Sequence, residues 1–343
     1  MKIAQKCCLL ALLASPVAIS ASDVETELLN LNLEARVDYQ RQYNDGTTVK
    51  NNTGFEGKYF MIRLDGMITP GLTYSWRQRL NKNHIDNNFF DATDWLYLNW
   101  DIDRWSIAGG KQIVAIGGWE YDRPPFDLYS TSVFWNNIPC YQLGASVAYN
   151  FRSGDRILAQ VTQSPFASAA DRDMYSYNLM WTARHGFFHP IYSVNLVERV
   201  PGHYISYIAL GNKFNVGKCS LELDFMNRAS RNQTYLFKDC SVMTELSYRP
   251  TSRWNVYGKF TYDVNKSGTT ADVLVRNGTE LKMAGIGVEF MPLVRKIGSL
   301  RLHANCFYSW GHNANENDVM QNKTTMVDIG VKWHMNLFTL KKH

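Results

Sequence analysis

The stretch LNLNLEARVDY, from Leu29 to Tyr39, decides the fold. Its odd positions are Leu29, Leu31, Leu33, Ala35, Val37 and Tyr39, and its even positions are Asn30, Asn32, Glu34, Arg36 and Asp38. Successive side chains on a β-strand point to opposite faces, so one side of this segment meets an apolar medium and the other a polar one. A soluble sandwich strand alternates in the same way, but usually for only about five or six residues. A strand tilted across a bilayer needs about 9–11, and Leu29–Tyr39 supplies that length.

The same alternation recurs along the chain. Phe60, Ile62, Leu64 and Ile68 interleave with Arg63, Asp65 and Met67; Leu72, Tyr74 and Trp76 interleave with Thr73, Ser75, Arg77 and Arg79. Further strands are expected around Leu96–Ile102, Trp105–Gly109, Tyr141–Phe151, Ile157–Val161 and Tyr175–Ala183, then near 190–200, 203–215, 218–227, 240–249, 253–263, 280–290, 299–310 and 324–338. The count is about sixteen, an even number as single-chain bacterial barrels have. Connection lengths alternate too. Short turns are expected at Pro70-Gly71, Asp103-Arg104, Ser153-Gly154, Gly186–His189, Val216-Gly217, Pro250–Ser252 and Pro292–Gly298. Longer ones, rich in Asn, Gly, Thr and Asp, fall near 44–57, 81–92, 113–139, 164–173, 227–239, 264–279 and 311–323, with Pro201-Gly202 a short exception. Short turns on one side and long loops on the other are the habit of an outer-membrane barrel. Aromatic residues on outward phases (Tyr39, Tyr74, Trp76, Tyr141, Tyr149, Phe151, Tyr175, Trp181, Tyr262, Trp310 and Trp333) suit girdles at the lipid interfaces. The expected fold is all-β: a transmembrane antiparallel up-and-down barrel.

The N-terminus agrees with export. Met1–Lys6 is basic, Cys7–Val17 apolar, and Ala18–Ala21 small, the pattern of a cleavable signal peptide over residues 1–21, leaving a barrel over 22–343. Loss of Lys2 and Lys6 takes the formal charge from +5 to about +3, too near neutral to imply a nucleic-acid partner. Cys140, Cys219, Cys240 and Cys306 remain, without zinc-ligand spacing, and no metal or cofactor is expected. Cys219 and Cys306 sit on apolar phases. The sequence also lacks G-x-S-x-G and H-E-x-x-H, and His203 and Ser206 are out of phase, so no enzyme is expected.

A barrel of about sixteen strands is too wide for its wall side chains to fill. The long connection near Ile113–Pro139 carries apolar and aromatic residues that need a surface to pack on. Folded into the lumen it would narrow the pore and present Glu120, Tyr121, Asp122, Arg123 and Asp127. Arg36, Arg63, Arg77, Arg79 and Lys332 fall on inward phases, with Arg301 and His303 adjoining. Arginine stays charged and offers forked donors to phosphate or carboxylate. Glu34, Asp38 and Asp65 lie among these cations as possible partners.

Three runs suggest a family. Gly109–Gln112 (GGKQ), Gly117–Asp122 (GGWEYD) and Cys140–Ala145 (CYQLGA) resemble the phosphate-selective porin O/P family. The resemblance implies a sixteen-stranded outer-membrane porin, commonly trimeric, with an arginine ladder and lysines that guide phosphate. By position Arg77 and Arg79 fit such a ladder. Passive passage of small hydrophilic solutes, with anions preferred, is the expected function; a general diffusion porin, or a binding or adhesion barrel acting through its Asn-rich outer loops, are the alternatives.

Overall fold

The computed structural model describes residues 27–82, 89–168, 170–231, 233, 236–293 and 299–341. Sixteen long strands follow one another as antiparallel neighbours: β1 (Glu27–Asn44), β2 (Gly54–Thr69), β3 (Leu72–Arg79), β4 (Thr93–Ile102), β5 (Trp105–Ile113), β6 (Tyr141–Asn150), β7 (Arg156–Gln163), β8 (Tyr175–Thr182), β9 (Phe188–Val200), β10 (His203–Val216), β11 (Cys219–Ser230), β12 (Asp239–Thr251), β13 (Trp254–Asn265), β14 (Glu280–Phe290), β15 (Leu300–His312) and β16 (Thr324–Lys341). A two-residue strand, Thr47–Thr48, folds the outer end of β1 back on itself. β1 closes on β16, with Arg36 opposite Lys332 and Asp38 opposite Gly330. Closure leaves no sheet edge, the condition for strands to cross hydrocarbon.

The periplasmic turns are tight because their residues accept left-handed backbone. Gly71 has φ +81° and Asp103 φ +52°, each inside a two-residue connection. The expected signal peptide over residues 1–21 and the centre of the turn expected at Pro292–Gly298 lie outside the described residues.

The two faces separate as the alternation requires. Leu96, Leu98 and Trp100 on β4, Ile286 on β14 and Ile329 on β16 are exposed on the outer surface, as are Cys219 and Cys306. Their alternates Asn99, Glu289 and Asp328 are buried inside. The buried apolar cluster is unusual for a barrel. It sits within the lumen, where Val114, Ile116, Val133, Phe134 and Ile138 of the third outer connection pack on Val197, Ile205, Tyr207 and Ala209 of β9 and β10 and on Met283, Phe307 and Met326 of β14 to β16. Phe134 meets Tyr207 edge-on at 5.5 Å. The expected inward fold of this loop is what the structure shows.

Tyr141 departs from its expected outward phase. Its hydroxyl accepts a hydrogen bond from the inward Arg77 at 2.5 Å. It opens β6 directly after the chain leaves the lumen, so strand alternation does not yet dictate its direction.

The face assignment has an energetic consequence. Ile286, 69% exposed midway along β14, should on replacement by arginine cost about 2–4 kcal/mol, against about 0–1 for Val216→Arg at the periplasmic end of β10. Urea unfolding in lipid vesicles measures both, and equal costs would contradict the placement of these strands in the bilayer.

Candidate functional site

The third outer connection, residues 114–140, crosses the lumen and is held at each step by a group on the wall. It leaves β5 along β7 to β9, where Gln160 accepts from the Ala115 amide at 2.7 Å, Asn195 donates to the Ala115 carbonyl at 2.8 Å and Ser193 accepts from the Gly117 amide at 2.8 Å. A short helix, Trp119–Asp122, then begins against β11. Asp224 caps it, accepting from the amides of Trp119 and Glu120 at 2.9 and 2.7 Å. Those amides have no partner inside the helix, and a carboxylate suits the positive end of its dipole. A second helix, Val133–Asn137, starts with Ser132 accepting from the Trp135 amide at 3.2 Å and with Asp263 accepting from the Val133 amide at 3.0 Å.

Between the helices the loop reaches the barrel seam. Asp127 contacts Lys332 and lies 3.5 Å from Arg301; the Leu128 carbonyl accepts from Arg36 at 2.6 Å; Tyr129 donates to Glu289 at 2.8 Å. The chain then turns back to β13, where Lys259 donates to the Ser130 carbonyl and to Glu120, both at 2.6 Å.

The expected loop residues thus divide by role. Glu120 is buried between Lys259 and Ser132, and Tyr121 belongs to the apolar cluster. Arg123 is clamped by Glu222 of β11 and by Glu245 of β12, the latter at 2.8 Å. Asp122 and Arg123 line a small gap opposite Arg77, Trp95 and Tyr141. Burial pushes the Asp122 carboxyl up to about 6, against the opposing pull of Lys213.

The expected wall cations divide as well. Arg36 is buried, forked onto Asp38 at 2.6 Å, with its guanidinium 4.5 Å from the Tyr129 ring centre. Lys332 is buried against Asp127, and Arg301 binds Glu289 at 2.6 Å. These three bind the loop. Arg63, Arg77 and Arg79 stand together on β2 and β3, with Arg63 opposite Arg77 in register. Arg77 is fixed by Asp94 at 2.9 Å and lies 3.7 Å over Trp95; Arg63 pairs with Asp65 at 2.7 Å and approaches the same indole at 5.7 Å. Arg79 lies 4.6 Å over Tyr59 and forms no ion pair among the described residues. Sequence reading missed Arg156 at the start of β7, which also forms none there and lies within electrostatic range of Tyr97 and Asp101. It missed Trp95, Asp224 and Lys259 too; each falls on an inward phase of its strand and was legible there.

Above the loop a cavity of about 170 Å³ opens toward the outer mouth, lined by Arg36, Lys58, Tyr59, Trp135, Met283 and Met320 among others. One outer connection lines it through Asp318, Val319 and Met320, and others are held nearby. Arg228, fully buried, holds Asp272 at 2.6 Å, and Asn137 bonds to the Leu274 carbonyl at 3.1 Å and to Asp318 at 3.3 Å.

Solved structures share this architecture. The chain is similar to an anion-selective porin from Comamonas acidovorans, with 12% identity, a TM-score of 0.61, and 90% of this chain and 99% of that one covered. It is similar to OmpT, an outer membrane protein of Vibrio cholerae, in its trimer form, with 10% identity, a TM-score of 0.62, and 91% and 100% covered. Among curated proteins no sequence matches. Residues 29–262 match the family described as phosphate-selective porin O and P. A closed sixteen-stranded barrel, with its third outer connection folded into the lumen and matched to that family over most of its length, places the chain in the bacterial outer membrane as a member of the phosphate-selective porin O and P family.

Proposed function

We propose that the chain is a passive diffusion pore for small hydrophilic solutes that prefers anions of the phosphate type. One observation carries this reading: Arg79, Arg77 and Arg63 stand together on the inner wall at β2 and β3, and Arg156 at the periplasmic start of β7 lies, like Arg63, within electrostatic range of Tyr97. Two of the three acidic loop residues are occupied elsewhere, Glu120 on Lys259 and Asp127 on Lys332. Carboxylates that are already paired offer little to a passing cation. Arg79 and Arg156 keep donors for an anion, and arginine binds phosphate oxygens through two parallel bonds. The family's description and the anion-selective neighbour favour the same polarity. Assembly as a homotrimer, as in the trimeric neighbour, belongs to this proposal.

Planar-bilayer recording under a potassium chloride gradient tests it. The expected reversal potential is that of an anion-preferring channel, with chloride current reduced as phosphate is added. In Arg79→Ser/Arg156→Ser the potential moves toward zero and the phosphate effect weakens several-fold. A cation-selective current, or one indifferent to phosphate and to both substitutions, would leave a general diffusion pore; absence of any conductance would favour a binding barrel.

The loop sets the width on the same reading. Asp224→Ala leaves two part-buried amides unpaired, at a local cost of about 1–3 kcal/mol for each. Single-channel conductance should rise and become noisier while thermal unfolding of the barrel barely moves. An unchanged conductance would mean that the segment at Trp119 does not narrow the path.

A further inference from the structure

Asp38 on β1, His303 on β15 and Asp328 on β16 converge at the seam where the barrel closes, on three adjacent strands. Their side chains are 0%, 0% and 2% exposed. His303 Nε2 lies 3.0 Å from Asp38 Oδ1 and 3.4 Å from Asp328 Oδ1. Nε2 has these two contacts alone, and Nδ1 and Asp328 Oδ2 are buried without a hydrogen-bond partner. Polar atoms so placed are costly unless something satisfies them.

Charge gives a second argument. Arg36 forks onto Asp38, while Asp328 receives only the neutral Asn305 amide, at 2.7 Å. The two carboxylates therefore have one guanidinium between them. Space gives a third. Asp38 and His303 both stand opposite Gly330 in register, and a Cβ there would lie 2.3 Å from Asp38 Oδ1 and 2.7 Å from His303 Cε1. Only glycine lets carboxylate and imidazole approach across that strand. Tyr129 covers the imidazole at 4.4 Å, so the loop closes the site from the lumen.

We propose that Asp38, His303 and Asp328 bind one divalent transition ion of the zinc class, through Nε2 and an oxygen of each carboxylate, stapling the first strand to the last two. Bonds of about 2.0–2.2 Å in a tetrahedral site separate donors by about 3.4 Å, close to the two spacings found. One imidazole among two carboxylates suits zinc or its neighbours, whereas calcium and magnesium favour all-oxygen shells with more ligands. The donors come from distant parts of the chain, so no spacing motif announces them.

The mature full-length barrel is refolded from denaturant with equimolar zinc, desalted against a weak chelator, and its metal content measured. Wild type should retain about one zinc per folded chain and unfold at higher temperature than protein refolded without metal. His303→Gln and Asp328→Asn should retain none and lose the shift. Folded wild type that holds no zinc, or variants that hold as much as wild type, would overturn the site. Should the variants fail to fold, cobalt decides with wild type alone: visible absorption bands that zinc displaces support the site, and their absence overturns it.

Discussion

Everything in this molecule hangs on the pairing of β1 with β16. In hydrocarbon no water satisfies a free N–H or C=O, and each orphan would cost several kcal/mol. The sheet must close, and closure at sixteen strands leaves a lumen wider than its own side chains fill. The wall positions that face inward must then be polar where water reaches them and apolar where a loop covers them. Both kinds occur: Arg63 and Asp65 in one class, Ile205, Ala209 and Phe307 in the other. The apolar inward patch is thus a consequence of the folded-in loop, and the loop's Phe134 and Val133 are its counterpart.

Holding a loop inside a barrel requires anchors that act at a distance from any backbone ladder. Here they are ion pairs with little or no solvent contact: Lys259 with Glu120, Arg123 with Glu222 and Glu245, Lys332 with Asp127. Such pairs gain little over an apolar contact of the same shape, but losing one partner strands a buried charge at a cost of about 3–5 kcal/mol. Their effect is to select one loop path among many rather than to add stability. Neutral anchors do the same at the first crossing, where Gln160, Ser193 and Asn195 take up the backbone of Ala115 and Gly117. The outer connections that carry Asp272 and Asp318 use the same device.

The alternation in Leu29–Tyr39 and its repeats made the fold legible, because period two reports directly on a face between lipid and lumen. The length and aromatic content of residues 113–139 made the inward loop legible for the same reason: that much apolar surface must be covered. Alternation says which way a side chain points and is silent about what it meets. Arg36 and Lys332 read identically to Arg79 in sequence, yet two anchor the loop and one has no carboxylate partner among the described residues. The partners come from the loop's path, which depends on contacts between residues such as Glu120 and Lys259, far apart in the chain. Tyr141 fails differently, because a residue entering a strand from inside the barrel is not yet bound to its phase.

The reading of selectivity follows from which charges are compensated. A cation held 2.6 Å from a carboxylate acts on a distant ion as a dipole, whose field falls off faster than that of a single charge. Screening shortens its reach further, to within about 8–10 Å at ordinary salt. Totals of acidic and basic wall residues therefore say little about what passes. Arg301 and Lys332 count for the loop, and Arg77 is tied to Asp94. Arg79 at the outer end of β3 and Arg156 at the periplasmic start of β7 form no ion pair among the described residues. On the proposed function these two impose the sign of the field along the path, while the paired majority gives the path its shape.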